Sequence, residues 1–463
     1  MMTALDAIPA LIDRVRDGFR DGVVRSIDAR RTQLQQLRRF LVEQEPAIAD
    51  ALYADLGKSP IEAYTTEIGF TINEIDHTLD HLDAWTKPTR VWIPMYLRPG
   101  SARLVQEPLG TVLIIAPWNY PLQLLLAPLV PALAAGNTAV LKPSEVAPAT
   151  AAMIAELLPR YLDERAVQIV TGGVPETTAL LAQRFDHIFY TGNGTVGKIV
   201  MHAAAEHLTP VTLELGGKSP AIVTASADIE VSARRIAWGK FVNAGQTCVA
   251  PDYVLVDERV ADQLTLALRT AIHGFYGDDP STSPDYGRIV NQRHHARLTA
   301  LIDAGGFEDV AIGGTGDTDT RYLAPTVLTG VKPDARVMDD EIFGPILPVL
   351  TYQGIEEAIA FVNERPKPLA LYVFSGRDST ADKVVEKTSA GGVTVNHTLL
   401  HLVVADLPFG GVGGSGMGAY HGEAGFRIFS HAKPVLKRAT TPDPKIAYPP
   451  YSTFKQKLMR KLL

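Results

Sequence analysis

Cysteine is nearly absent from this sequence, since the chain of 463 residues has only one, Cys248. A single cysteine cannot form an intramolecular disulfide, which excludes the class of disulfide-stabilised secreted domains and fits a reducing compartment. Basic residues are not in excess either, because 44 Lys and Arg stand against 51 Asp and Glu and the net charge is −7. This balance offers no basic field for nucleic acid. We therefore expect a cytoplasmic protein without a nucleic-acid partner.

Long hydrophobic runs are also missing. The longest, residues 122–135, is interrupted by Pro128 and Pro131 and is too short to span a bilayer. The N-terminus carries acids in a helical pattern instead of a signal-peptide pattern. The sequence contains no internal repeat and no group of metal ligands at zinc-type spacing. These features predict neither an integral membrane span nor a metal site.

Helical patterns occupy residues 1–57 and 61–85, and strands and helices alternate from Val112 onward. Short apolar runs that predict strands lie at 112–116, 138–141, 167–170, 187–190 and 211–215. Repeated strand–helix units imply an α/β fold with a parallel sheet buried on both faces. In such sheets ligands bind in the crevice outside the carboxyl ends of the strands.

Polar residues and glycines fall at these strand ends, namely Asn119, Lys142, Glu145 and Gly192. Gly192 and Gly194 would let the backbone approach a phosphate at the start of the next helix, and Lys142 and Glu145 can hydrogen-bond ribose hydroxyls. The pattern favours a dinucleotide. The glycine spacing departs from G-x-G-x-x-G, so an ordinary strand–helix loop is the alternative.

Two residues are candidates for bond-making chemistry. Glu214 lies among apolar residues before a glycine turn, where burial would raise its pKa toward that of a usable base. A carboxylate that caps backbone N–H groups is the alternative. Cys248 follows Gly245 in a stretch that could begin a helix, where the helix dipole would lower the pKa of its thiol. A small buried hydrophobe is the alternative for this cysteine.

Three later stretches stand out. Residues 339–345 form an acidic turn with an aromatic, which could equally be a solvated charge run. The glycine-rich residues 408–418 predict a close-fitting loop over the crevice, with a flexible linker as the alternative. The tail from Lys455 to Leu463 alternates basic and apolar residues, which fits a short amphipathic helix with weak affinity for a membrane surface. A solvated terminus or a subunit contact is the alternative, and is the more frequent role of such a tail.

Taken together, these motifs resemble the aldehyde dehydrogenase superfamily over residues 5–440, most closely its class 3 or fatty-aldehyde branch. The resemblance is carried by Ile115–Pro121, Gly136–Glu145, Thr212–Lys218, Asn243–Cys248, Glu341–Pro345, Pro408–Gly418 and Tyr420–Gly422. It implies a Rossmann-type cofactor domain, an α/β catalytic domain and a small β bridging element. The implied boundaries are 1–85 and 107–212 for the cofactor domain, 213–407 for the catalytic domain, 86–106 and 408–440 for the bridging element, and 441–463 for the tail.

The resemblance implies NAD(P)-dependent oxidation of an aldehyde to a carboxylic acid, with a medium- or long-chain aliphatic or an aromatic substrate. Cys248 would be the nucleophile, Asn119 and the backbone N–H of Cys248 the oxyanion donors, and Glu214 the general base. Tyr64 and Tyr120 would line the entrance funnel for the substrate.

The cofactor residues are implied in the same way. They are Lys142 and Glu145 at the adenosine ribose, Glu341 at the nicotinamide ribose, and Trp118, Gly192, Val196, Gly197 and Phe343 around the cofactor. Because a carboxylate at Glu145 would repel a 2′-phosphate, NAD is the expected cofactor, with NADP as the alternative. Exposed edges of the bridging element predict a homodimer. An enzyme that releases acyl-coenzyme A or runs reductively, or a non-catalytic dinucleotide-binding protein, are the alternative functions.

Overall fold

The computed structural model describes residues 2–462. The α-helices are α1 (Ile8–Asp21), α2 (Ile27–Glu43), α3 (Glu45–Leu56), α4 (Pro60–Ala63), α5 (Gly69–Thr86), α6 (Gln123–Ala135), α7 (Pro148–Leu157), α8 (Val174–Leu181), α9 (Gly194–Ala205), α10 (Ile229–Phe241), α11 (Ala261–Tyr276), α12 (Gln292–Asp303), α13 (Ile355–Asn363), α14 (Asp378–Lys387), α15 (Gly422–Ile428) and α16 (Thr453–Leu462). Within these residues, no helix combines the length and the apolar character needed to cross a bilayer.

The strands form three main sheets. They are β1 (Thr89–Val91), β2 (Gly100–Pro108), β3 (Thr111–Ile115), β4 (Thr138–Lys142), β5 (Val167–Ile169), β6 (His187–Thr191), β7 (Val211–Glu214), β8 (Pro220–Val223), β9 (Tyr253–Asp257), β10 (Asp309–Ile312), β11 (Gly316–Asp317), β12 (Tyr322–Leu323), β13 (Thr326–Thr329), β14 (Ile346–Tyr352), β15 (Ala370–Phe374), β16 (Gly392–Val395), β17 (Gly416–Met417) and β18 (Ser430–Arg438).

The first sheet has the order β17-β7-β6-β3-β4-β5, and β3 to β7 are parallel. Side chains of β3 alternate between two apolar cores. Leu113 and Ile115 pack with α1, α8 and α9, whereas Val112 and Ile114 pack with α2 and α6. A strand buried on both faces needs a continuous apolar run, which confirms the strands predicted from 112–116 and the four runs after it.

The order of this sheet places a crevice at one edge. The chain passes from β3 to β4 and β5 on one side, and then returns to β6 and β7 on the other. The connections therefore diverge between β3 and β6, and such a switch point opens a cleft at the carboxyl ends of the strands.

The second sheet has the order β10-β13-β14-β9-β8-β15-β16, and all its pairs except β10–β13 are parallel. Strands β8, β9 and β15 are buried along their whole length. The third sheet is antiparallel, with β2 between β1 and β18. Residues Gly416 and Met417 of the glycine-rich stretch join the first sheet as β17, antiparallel to β7. That stretch is therefore a fixed part of the fold and not a flexible linker.

The N-terminal helices differ from the sequence prediction at one place. The predicted helix over 61–85 is interrupted by a π-helical turn, Tyr64–Ile68, between α4 and α5. A π-turn adds a residue to the helical repeat, so it rotates the side chains that follow and is frequent at functional sites. Helix α2 follows the N-cap Ser26, and α3 ends before Gly57, whose left-handed conformation closes the first predicted helical stretch at 57.

Candidate active site

The candidate site lies between the carboxyl edge of the first sheet and the amino edge of the second. Asn119 follows β3 and Glu214 ends β7, whereas Cys248 precedes β9 and Glu341 precedes β14. Contacts join the two edges directly, because the Asn119 side chain bonds to the carbonyl of Gln246 and the carboxylate of Glu341 lies against Gly216. Residues distant in sequence therefore meet in one cleft.

The loop that carries Cys248 is strained. Asn243, Ala244 and Gly245 have φ angles of 53°, 50° and 74°, which are left-handed. A non-glycine residue in this region costs about 1–2 kcal/mol. A Cβ on Gly245 would stand 2.3 Å from the carbonyl oxygen of Gly344, so this glycine is required where the Glu341 loop passes. Such local strain is typical of functional sites.

The side chain of Gln246 holds this loop in place. Its Nε2 donates to the carbonyls of Asn243 and Arg288, each at 3.0 Å, and its Oε1 accepts from the N–H of Val290 at 2.9 Å. These three bonds are made by a fully buried amide, so they offset the strain of the left-handed residues.

Cys248 does not begin a helix, contrary to the sequence prediction. Helix α10 ends at Phe241, and the residues around Cys248 are a turn before β9. Burial raises the pKa of the Cys248 thiol well above its usual value, and the nearby carboxyl groups of Glu341 and Glu214 raise it further. The expected helix dipole is therefore absent, and the local charges disfavour the thiolate.

Asn119 is buried and tied to the Cys248 loop. Its Nδ2 donates to the carbonyl of Gln246 at 2.9 Å, and its own carbonyl accepts from Nδ2 of Asn243 at 2.8 Å. An amide nitrogen carries two hydrogens, so Nδ2 can donate to a second acceptor beside the loop. The neighbouring Tyr120 shares a hydrogen bond of 2.6 Å with the hydroxyl of Thr247. The side chain of the predicted oxyanion donor is thus bonded to Gln246, which lies two residues before Cys248 in the chain.

Glu214 is 2 % exposed, and within residues 2–462 neither of its carboxyl oxygens has a hydrogen-bond partner. The alternative of a carboxylate that caps backbone N–H groups is therefore wrong. Burial raises the pKa of Glu214 well above its usual value. A buried carboxyl without internal partners costs stability, so such groups mark candidate sites of chemistry.

Glu341 is buried in part, whereas its neighbours Asp339 and Asp340 are exposed. Its Oε2 lies 2.1 Å from the position of a Cβ on Gly216, so only glycine fits beneath it. Burial raises the pKa of Glu341 to about 8, with Asp252 adding to the rise. Its Oε1 has no hydrogen-bond partner within the described residues. The alternative of a solvated charge run therefore fails for this residue.

The residues expected at the adenosine ribose lie together at the end of β4. Lys142 is buried, and its Nζ donates to the carbonyl of Pro143 at 2.9 Å and to Oε2 of Glu145 at 3.4 Å. Burial lowers the pKa of Lys142. Glu145 is half exposed. This pair presents a cation and a carboxylate at the rim of the cleft, as a ribose-binding site needs.

The glycine turn after β6 has more specific roles than the sequence predicts. A Cβ on Gly192 would stand 2.2 Å from the hydroxyl oxygen of Tyr190, so this glycine makes room for the tyrosine. Gly194 borders open space. The N–H of Val196 is already bonded to Oδ1 of Asn193 at 2.9 Å, and Gly197 packs against Leu215. Gly194 is therefore the point of this turn with room for a ligand.

Aromatic rings line the cleft between the two sheets. Trp118 contacts Phe343 edge to face, with ring centroids 5.3 Å apart, and His294 with centroids 4.9 Å apart. Phe343 has a φ of 48°, a strained conformation for a bulky residue. Burial lowers the pKa of His294 to about 4. Trp118 and Phe343, both expected near the cofactor, are thus in contact with each other. His294 packs against Trp118 as a third ring.

A nicotinamide dinucleotide fits these residues. The open space at Gly194 and the Lys142–Glu145 pair lie at the carboxyl edge of the first sheet. Glu341, whose Oε1 is unpartnered within the described residues, precedes a strand of the second sheet and reaches across to Gly216. Hydroxyl groups of two riboses would supply donors for the two carboxylates. No group of three or more His, Cys, Asp or Glu suited to a metal occurs in the part of the chain that the structure describes.

Several buried or partly buried residues near the site were missed by the sequence reasoning. They are Lys58, Glu62, Glu67, Lys240 and His294. Lys240 is fully buried and its Nζ has no partner among the described residues, and burial lowers its pKa to about 8. A charged residue on an otherwise apolar helix face is the sequence signal that could have identified the buried charged residues among them. Helix phase changes at the π-turn, so the face of Glu67 could not be assigned from a 3.6-residue period.

Comparisons with known proteins identify the family. The model of the "Aldehyde dehydrogenase family" matches residues 5–435. The "Aldehyde dehydrogenase family 3 member A2" of Mus musculus is 50% identical over 444 residues, which cover 96% of this chain and 91% of that protein. The "Aldehyde dehydrogenase, dimeric NADP-preferring" of Rattus norvegicus is 48% identical over 448 residues, covering 96% and 98%.

A solved structure agrees with these sequence relatives. The substrate-bound state of Staphylococcus aureus AldH superposes with a TM-score of 0.96 at 47% identity, and the match covers 98% of this chain and 99% of that one. The resemblance and the fold class expected from the motifs are confirmed. The chain therefore belongs to the aldehyde dehydrogenase family, and it is an oxidoreductase that uses NAD(P) to convert aldehydes into carboxylic acids.

Proposed function

We propose that Cys248, Asn119 and Glu214 perform the oxidation. The observation that carries the proposal is their meeting in one cleft: Asn119 is bonded to the residues just before Cys248, and the unpartnered carboxyl of Glu214 acts on the thiol electrostatically. A nucleophile, an oxyanion donor and a base that share one cleft are the elements of covalent catalysis at a carbonyl.

In the first step the Cys248 thiol loses its proton to water, because burial and the nearby carboxyl groups keep it protonated at rest. The thiolate then adds to the aldehyde carbon, and the carbonyl oxygen becomes an alkoxide. The free hydrogen of Asn119 Nδ2 and the backbone N–H of Cys248 stabilise this alkoxide. Loss of one such donor typically costs about 2.7–4 kcal/mol of the barrier. Because the Gln246 network fixes both donors before substrate arrives, little reorganisation is needed during the reaction.

The chemistry that NAD(P) would supply when bound is acceptance of the hydride that the tetrahedral adduct expels. Lys142 and Glu145 would hold its adenosine ribose, Glu341 would hold the ribose nearer the thiol, and Trp118 and Phe343 would flank it. What stays on the chain is a thioester of Cys248. A thiolate is both a good nucleophile and a good leaving group, so one side chain serves both halves of the reaction.

Glu214 removes a proton from the water that hydrolyses this thioester. A carboxylate with an ordinary pKa is a weak base at neutral pH, whereas burial raises the pKa of Glu214 and strengthens it. Neither carboxyl oxygen is committed to another donor in the described part of the chain, so both face the reaction. Water is therefore the acyl acceptor, and the comparison with named aldehyde dehydrogenases favours this function over the acyl-coenzyme A and non-catalytic alternatives.

The experiment that tests this function is product analysis with NAD and a panel of aliphatic aldehydes of rising length plus benzaldehyde. We expect NADH and the free carboxylic acid in equal amounts, with no dependence on coenzyme A. NADH production that requires coenzyme A would contradict the role of Glu214. The same panel tests the proposed substrate class, medium- and long-chain aliphatic or aromatic aldehydes.

Two tyrosines support that substrate class in different ways. Tyr64 is 41 % exposed on the π-turn, where its ring can contact an apolar substrate. Tyr120 is buried and bonded to Thr247, so its ring is a fixed wall and not part of an open funnel. We expect substitution of Tyr64 by Ala to raise the KM for long aldehydes more than for short ones.

For the cofactor, we propose a preference for NAD over NADP. The half-exposed carboxylate of Glu145 stands beside Lys142 at the rim of the cleft and would repel a 2′-phosphate. The KM for NAD should therefore be lower than the KM for NADP, and equal values would contradict the proposal. One relative is named NADP-preferring, so the two cofactors must be compared directly.

We propose that the protein is a homodimer built on the third sheet. The outer strands β1 and β18 have free edges, and Trp92 and Met95 next to β1 are 73 % and 78 % exposed. Open edges and apolar side chains of this kind are normally covered by a partner. A relative named dimeric supports the proposal. A monomeric mass by light scattering at micromolar concentration would contradict it.

The domain boundaries stay a proposal: 1–85 with 107–212, 213–407, and 86–106 with 408–440. The three sheets support this division. Limited proteolysis should cut first near these boundaries; a first cut inside β3 to β6 would contradict them.

The tail 441–463 includes α16, where Lys455, Lys457, Arg460 and Lys461 lie on a helix with Phe454 exposed. Leu463 lies outside the described residues. We propose weak binding of this helix to an anionic membrane surface. Sedimentation with vesicles of anionic phospholipid should retain part of the protein at low salt and release it at high salt.

We also propose that the enzyme works in the cytoplasm, since its one thiol must stay reduced. Activity confined to a non-cytoplasmic fraction of cells would contradict this proposal.

A further inference from the structure

A buried ion pair lies behind the loop of Asn119. The side chains of Lys58 and Glu67 are both 0 % exposed and are in direct contact. Transfer of two charges from water to a protein interior is expensive, and apolar side chains of similar size often stabilise a fold better. Stability alone therefore does not explain why this ion pair is buried.

The pair holds the backbone on both sides of the catalytic amide. Nζ of Lys58 donates to the carbonyl of Asn119 at 3.1 Å and lies 3.9 Å from the ring centroid of Tyr120. Oε2 of Glu67 accepts from the N–H groups of Leu122 and Gln123 at 2.9 and 3.1 Å. Asn119, Tyr120, Leu122 and Gln123, at the end of the β3–α6 turn and the start of α6, are thus contacted by two side chains that also hold each other.

The π-turn Tyr64–Ile68 brings Glu67 to this position, and the same segment reaches the second catalytic loop. The carboxyl of Glu62, on α4, accepts from the N–H of Asn243 at 2.8 Å. Nδ2 of Asn243 donates to the carbonyl of Asn119, the oxygen that Lys58 also contacts. One short segment, residues 58–67, therefore sets the distance between the Asn119 loop and the loop that leads to Cys248.

We propose that Lys58 and Glu67 are positioning residues for the oxyanion donor Asn119. The pair fixes the carbonyl of Asn119 and the start of α6, and so aims the side-chain amide at the alkoxide on the substrate. This inference rests on the role proposed for Asn119. A misplacement of a catalytic group by 1 Å can cost about 10²-fold in rate.

The test is a double-mutant cycle on the single-turnover rate constant of NADH formation. The variant Lys58→Met/Glu67→Gln removes both charges together, so neither is left unpaired, and the glutamine oxygen can still accept from Leu122 and Gln123. We expect a loss of about 10- to 100-fold in the otherwise native enzyme. In an Asn119→Ala background the same change should cost less than about twofold, because the amide to be aimed is gone.

Arg30 supplies a matched control. It is also buried, and its guanidinium donates to the carbonyls of Val24, Arg25 and Ala134, the last at the far end of α6. Arg30→Met should lower the thermal midpoint of unfolding yet leave the rate constant within about twofold of the native value. The KM for NAD should be unchanged in both the control and the test variant.

Equal losses in the native and Asn119→Ala backgrounds would show a structural role and overturn the proposal, and so would no loss in either. If the double variant does not fold, the single variant Glu67→Gln is compared in the native and Asn119→Ala backgrounds instead. A native rate constant in Asn119→Ala by itself would instead show that the role proposed for Asn119 is wrong. The two failures are therefore distinguishable.

Discussion

Replacement of Glu214 by Gln separates the two halves of the proposed reaction. Glutamine has the same shape but no basic oxygen. Because neither oxygen of Glu214 has a hydrogen-bond partner in residues 2–462, the change breaks no internal bond, and because the carboxyl is 2 % exposed, it removes a group whose charge is costly to bury. We therefore expect a folded variant that is at least as stable as the native enzyme.

The magnitude follows from the role of the residue. General-base catalysis contributes about 10²- to 10⁴-fold, or roughly 2.7–5.5 kcal/mol, and this should be lost from thioester hydrolysis. Formation of the thioester should fall far less. The assay is rapid mixing of enzyme, NAD and aldehyde with detection of NADH. The variant should give a burst of one NADH per site, followed by a very slow steady state.

Two results would refute this reasoning. A variant without a burst would mean that Glu214 is needed before hydride loss. Equal falls in the burst and steady-state rates would mean that the residue is structural or acts in both steps. The pH dependence is a second check: the raised pKa of Glu214 makes the native hydrolysis rate fall as the pH falls, and the variant should lose that dependence.

Three further predictions follow from other parts of the structure. Cys248→Ala should abolish NADH formation without changing the fold by circular dichroism, and residual turnover would show another nucleophile. Glu145→Gln should reduce the ratio of the KM values for NADP and NAD, and an unchanged ratio would exclude its carboxylate as the cause of the preference. Burial lowers the pKa of His187 to about 4, below the unfolded value of about 6.5, so its contribution to stability is present above pH 6.5 and is lost as the pH falls toward 4. Urea unfolding should show a loss of roughly 1.4 kcal/mol per pH unit in this window that His187→Gln lacks, and parallel curves would contradict it.

The sheets were predictable because their signal is local. In the first sheet, an apolar run such as 112–116 is buried on both faces, and a turn with Gly, Pro or Asn follows each of β3 to β7, so the carboxyl edge could be located from the sequence. The chemistry of Cys248 and Glu214 could be suspected for the same reason. A lone cysteine and a carboxylate among apolar residues are unusual wherever they lie.

The rest depends on contacts between distant segments. The left-handed run Asn243–Gly245 is fixed by Gln246, Arg288 and Val290, and nothing in its own sequence predicts it. The expectation of a helix dipole at Cys248 failed for this reason. The place of Glu67 depends on a π-turn, which shifts the helical period, and so the buried pair with Lys58 could not be derived from the helical pattern.

The central claim is tested most directly by finding where the acyl group is held. Glu214→Gln, mixed with NAD and an aliphatic aldehyde and quenched in acid after the NADH burst, should carry one acyl group per chain. Peptide mass mapping should place it on Cys248, in an amount equal to the NADH released. A full burst with the Cys248 peptide unmodified, or with the acyl group on another residue, would contradict the account.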